Sequence, residues 1–160
     1  MRNNAQMIGQ VFVFIIAALV FIFILAYGYS AITNFLKSSE QVGLADFKMS
    51  FVSGVEQIKP DFGSVRKLTL RAPKRYYEIC VVSSYPSDDV ENSDLSSKYP
   101  VLFELWNLGS ENVFLQPKQE TPVFIPDIEV SGGYFCTQMS NGVVDLRTEG
   151  LGDKVQVAVW

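Results

Sequence analysis

Hydrophobic and polar positions divide the chain into three stretches with different periods. From Val11 to Ala26 the sequence reads VFVFIIAALVFIFILA without one polar side chain, and no Asp, Glu, Lys or Arg occurs from Asn3 to Leu36. As a helix, Val11 to Tyr29 spans roughly 28 Å, close to the ~30 Å hydrocarbon core of a bilayer. A lone segment in lipid can satisfy its backbone polar groups only as a helix. The pattern predicts a transmembrane helix over 11–36, preceded by a polar N-terminal tail or signal segment at 1–10.

Past Leu36 the apolar positions become one-sided. Leu44, Phe47, Phe51, Val55 and Ile58 recur at spacings of three and four, while Asp46, Lys48, Ser50, Ser53, Glu56 and Gln57 supply the polar faces. This predicts an amphipathic helix over 37–62, ended by Pro60 and the turn residues after it. Gly43 and Gly54 each weaken a helix by about 1 kcal/mol relative to Ala, so a kink or break is expected near Gly43.

After Gly63 the period falls towards two. Short runs at 65–71, 76–83, 101–108, 112–116, 123–125, 128–131, 134–139, 143–148 and 154–160 are separated by Pro, Gly and Asn-Gly. Asn141-Gly142 is a two-residue hairpin signal, because a type I′ turn needs positive φ at both positions. The last run alternates, with Val155, Val157 and Val159 on one face. Trp106, Tyr77, Phe103, Phe114, Phe124 and Phe135 are expected to fill the core; the competing assignment is a ligand-stacking surface. The fold class expected is α+β, with a long helix, transmembrane and then amphipathic, followed by an antiparallel β-sandwich over 63–160.

Charge and composition narrow the function classes. The chain has 160 residues and a net charge of −4, which argues against nucleic acid as a partner. Histidine is absent, which removes the commonest general base and the commonest zinc ligand. No catalytic, cofactor-binding or metal-binding residue set is assigned, and no cofactor is expected; the chain does not read as an enzyme. Asp88, Asp89, Glu91 and Asp94 crowd one loop, which is either a Ca²⁺ site or a solvated acidic loop; the spacing does not match an EF-hand. Arg66, Lys67, Arg71, Lys74 and Arg75 surround the first strand and would face lipid head groups, an acidic partner or simply water.

Cys80 and Cys136 are the two cysteines, each in a β-like run. They either pair outside the cytoplasm or remain two buried thiols. A pairing would stabilise the fold by roughly 4 kcal/mol on the chain-entropy estimate. The short tail with Arg2 places the N-terminus on the cytoplasmic side of a single-pass protein and the β-domain outside.

Three readings fit the apolar run: a retained anchor, a secretory signal cut near Ala26-Tyr27-Gly28, and a signal processed on the cytoplasmic side. At Gly9-Gln10, directly ahead of the apolar run, the sequence resembles the class III signal peptides of archaeal type IV pilin-like proteins. It departs from the family pattern at Ile8, where Lys or Arg is usual, and at Phe14, which stands where bacterial pilins often have Glu. The resemblance implies cleavage between Gly9 and Gln10 by a prepilin-type peptidase. The apolar run itself makes a lipid bilayer the first partner; the resemblance adds homo-oligomerisation through the N-terminal helix and contact with pilus assembly machinery. The function expected is that of a membrane-anchored structural protein of a filament or secretion machine. The alternative is a single-pass, surface-displayed β-sandwich that binds a partner without polymerising.

Overall fold

The structure, a computed structural model, describes residues 4–119 and 121–160. The chain forms two compact units, Met1–Glu40 and Gln41–Trp160. Helix α1, Asn4–Ile58, makes up the described part of the first and opens the second. Of the expected tail, residues 1–3 lie outside the described residues, and the Gly9-Gln10 junction falls within α1 rather than ahead of it.

Within the second unit, Leu44, Phe47, Phe51, Val55 and Ile58 are buried, as their spacing requires. Each contributes about 1.5–3 kcal/mol by leaving water. No break occurs at Gly43. Both glycines serve close approach instead. A Cβ on Gly54 would come within 2.6 Å of Leu68 Cδ1, and one on Gly43 within 3.0 Å of Pro73 Cγ. Pro60 follows the helix end, and the amide of Asp61 closes the turn on the Ile58 carbonyl.

Among the described residues seven strands follow: β1 Val65–Arg71, β2 Glu78–Val82, β3 Val113–Gln116, β4 Ile128–Glu129, β5 Tyr134–Gln138, β6 Val143–Gly150 and β7 Val155–Val159. They make two sheets, ordered β1-β6-β7-β4 and β3-β2-β5. All pairings are antiparallel except β4 with β7, which is parallel and corrects the all-antiparallel expectation. The Asn141-Gly142 turn has φ of 52° and 76°, the geometry that its sequence predicts.

Alternation sorts the side chains. Leu70, Val144, Leu146, Val155 and Val157 of the first sheet, Ile79, Val81, Val113 and Leu115 of the second, and the α1 stripe share one core. Val159, the last of the alternating valines, is exposed. The other face of the second sheet carries Cys80, Val82 and Phe114 into a smaller cluster with Trp106.

That second cluster holds the largest departure from expectation. Residues 101–108 are not a strand; Pro100–Asn107 is helix. Three short helices lie between β2 and β3: α2 Asp88–Glu91, α3 Leu95–Lys98 and α4 Pro100–Asn107. Leu102, Phe103 and Trp106 sit three and four apart, so one helical face can cover the sheet, and Pro100 suits the first turn. Residues 123–125 form only a bridge, Val123 to Val113. Of the aromatics assigned to the core, Trp106 and Phe114 are buried, but Tyr77 is 58% exposed and its neighbour Tyr76 takes the interior place.

Candidate functional site

Two surfaces stand out, one in each unit. In the first, every large apolar side chain of α1 from Phe12 to Leu36 faces outward; Phe14 is 68% exposed and Phe23 61%. The helix is long and apolar enough to cross a membrane. Its length follows from sequence in a direct way: Leu, Ile, Phe, Val and Ala fill its first half, no charge occurs in it before Lys37, and no proline interrupts it before Pro60.

In the second unit, a polar groove of about 520 Å³ lies among Ser84, Tyr85, Ser87, Asp88, Asp89, Asp127, Glu129 and Lys154. Asp127 stands in the left-handed region at φ 57° and receives Lys59 Nζ at 2.7 Å. Lys154 lies 3.6 Å from Glu129. Two of the four acidic residues in the groove thus carry their own counter-ions. The sequence cluster is divided: Asp88 and Asp89 line the groove, whereas Asp94 accepts a 2.7 Å hydrogen bond from the Tyr134 hydroxyl. Burial, followed by Asp94, pushes the Tyr134 hydroxyl up to about 12. Asp127, Glu129 and Lys154 come from elements distant in sequence, and no local signal pointed to them.

Cys80 and Cys136 are joined by a disulfide across β2 and β5, where the two residues lie directly opposite with Cα atoms 4.0 Å apart. Glu78 sits near both sulfurs, in a group whose spacing would suit a metal ion. Both sulfurs are committed to each other, so no thiolate is available as a ligand.

The basic residues around β1 do not form one patch. Arg66 pairs with Asp61 at 3.0 Å and Lys67 with Asp145 at 2.9 Å. Hydrogen bonds from Thr69 and then Lys67 hold the Asp145 carboxyl below the usual carboxylate range. Arg75 stacks on the Tyr76 ring, 4.8 Å from its centroid.

Glu111 is the buried carboxyl that carries a pH signature. Burial pushes it up, and Lys118 offsets this only in part. A carboxyl raised in the folded state binds its proton more readily there than in the unfolded chain. Its favourable contribution is therefore present at acid pH and lost as pH rises through the folded value. Glu111→Gln keeps an acceptor for Gln119 Nε2 and removes the buried charge. It should stabilise the domain slightly at pH 7, and the gain should fade as pH drops through the carboxylate range. Thermal melts at pH 7 and at the acid end of that range check this; equal effects at both would refute it.

No protein-family model, no curated protein and no solved structure matches this chain.

Proposed function

We propose that this chain is a membrane-anchored, extracytoplasmic structural protein of the type IV pilin-like kind, a subunit or minor component of a filament or secretion machine. The observation that carries the reading is the contrast along α1. Its apolar side chains are exposed from Phe12 to Leu36, whereas from Leu44 onward one face is buried in the core of the β-region. In water, so large a continuous apolar surface is unfavourable at about 25 cal/mol per Å². A lipid bilayer removes that penalty, and neighbouring helices of the same kind would do so after assembly.

Three further points support it. The two sheets and the α1 stripe share a core, which suits a sandwich-like head carried on a helix. The disulfide suits an oxidising compartment, hence a head domain outside the cytoplasm and the N-terminus inside. Cleavage between Gly9 and Gln10 by a prepilin-type peptidase would leave the apolar segment at the new N-terminus, ready for the assembly machinery.

The test is imaging of material sheared from expressing cells, with gold-labelled antibody against the β-domain. Labelled filaments are expected from the unaltered chain, and Gly9→Arg should abolish them while precursor accumulates in the membrane. Label confined to the membrane fraction with the unaltered chain would favour the non-polymerising, surface-displayed domain instead.

A further inference from the structure

Open sheet edges expose unpaired backbone groups and invite another strand, so folded proteins cover or charge them. The two sheets here have four edges, β1, β4, β3 and β5, and three of them are guarded. Along β3, the outward amide of Leu115 donates to Gln119 Oε1 at 2.8 Å, and Gln119 Nε2 donates to the Val113 carbonyl at 3.0 Å. The Val113 amide donates to the Val123 carbonyl. Along β4, Ser84 takes both outward groups of Ile128, its hydroxyl accepting from the amide and its own amide donating to the carbonyl. Along β1, Arg66, Lys67 and Arg71 supply charge.

The fourth edge has none of these devices. β5 reads YFCTQ, with no charge and no proline, and its residues are half-buried or exposed. The Met139 amide donates to Tyr77, and the Gly133 carbonyl accepts from Ser83. Odd-numbered residues therefore face β2, and the amides and carbonyls of Tyr134, Cys136 and Gln138 point away from it. Among the described residues these groups have no hydrogen-bond partner.

We infer that β5 is a strand-pairing site whose occupant is β5 of a second copy of this chain, running antiparallel about Cys136. Charge at the two ends of the strand selects this partner and direction. The acidic helix α2 sits against the start of β5, with Gly133 packed on the backbone of Asp89 and Val90. The basic turn after β1 sits beside the turn that follows β5, where the Ala72 amide donates to the Gly142 carbonyl, and exposed Arg71 and Lys74 there outnumber Glu78, which lies opposite Gln138 on β2. Antiparallel pairing brings the acidic end of each copy beside the basic end of the other, twice over. A parallel pair would set like charges together.

The register follows from the same groups. Tyr134 lies opposite the partner copy's Gln138 as a hydrogen-bonded pair, and Phe135 lies opposite Thr137. The contact is self-complementary and closes as a two-fold dimer, joining two three-stranded sheets into one. It uses only residues of Gln41–Trp160, so it stands apart from processing at Gly9.

Mixed cross-linking of the full chain reconstituted in phosphatidylcholine vesicles tests the register. One preparation carries Tyr134→Cys and the other Gln138→Cys, and they are oxidised mildly, alone and mixed. Isologous pairing predicts about tenfold more dimer on a non-reducing gel from the mixture than from either alone. No excess in the mixture overturns the register. Hydrogen exchange on the unaltered chain covers the case in which a variant misfolds. The amides of Tyr134, Cys136 and Gln138 should exchange about a hundredfold more slowly at high protein-to-lipid ratio than on dilution. Fast exchange of all three at every ratio overturns the pairing itself.

Discussion

Trp106→Ala should lower the unfolding free energy of the β-domain by about 5 kcal/mol, a large part of the 5–15 kcal/mol typical of a folded domain. Two losses add. The indole is completely buried in the smaller core cluster, beside Phe103 at 5.7 Å and Tyr85 at 5.2 Å between ring centroids. Truncation there leaves a cavity, for about 3–5 kcal/mol. It also orphans the Ser83 carbonyl, to which Nε1 donates at 2.7 Å, for about 1–3 kcal/mol. Trp106→Phe fills most of the cavity and keeps only the second loss. Urea unfolding of the detergent-solubilised chain, followed by near-UV circular dichroism, separates the two. A cost below about 2 kcal/mol for the Ala variant would mean that α4 does not hold the sheet as described.

The second large effect concerns the disulfide. Replacing both Cys80 and Cys136 with Ala should cost about 4 kcal/mol by releasing the chain between them in the unfolded state. Ala avoids the buried hydroxyl that Ser would introduce. For a domain of this size the midpoint should fall on the order of 15 °C. Cys80, Val82, Phe114 and Trp106 belong to one cluster, so this loss and that of Trp106→Ala should not add; the double variant measures the coupling. An unchanged midpoint, or identical gel mobility with and without reductant, would contradict a formed bond.

The helical part of the fold was legible because its apolar stripe has only one interpretation. Leu44, Phe47, Phe51, Val55 and Ile58 fit a 3.6 period and no strand pattern, and all five are buried. Strands with clear alternation, such as 143–148 and 154–160, were equally plain. Residues 101–108 misled because a short apolar run fits a buried strand and a covering helix alike. What decided it is tertiary: the helix covers sheet residues Cys80, Val82 and Phe114, and from it Trp106 reaches the Ser83 carbonyl. Tyr76 and Tyr77 are adjacent, so alternation alone left open which one faced inward. The groove was invisible because Asp127, Glu129 and Lys154 meet Asp88 and Asp89 only through folding. The same holds for the sheet edges, since nothing in the letters of Ser84 or Gln119 announces that each stands in for a neighbouring strand.

The apolar segment of α1 ties these observations to function, and its proposed fate is specific. A pilin-like protein loses its leader; a plain anchor keeps it. Intact mass and terminal peptide sequencing of the chain recovered from membranes of an expressing cell test this most directly. A mature terminus at Gln10, shifting back to Met1 in Gly9→Arg, is the predicted result. A chain that still begins at Met1 in the unaltered protein would contradict it.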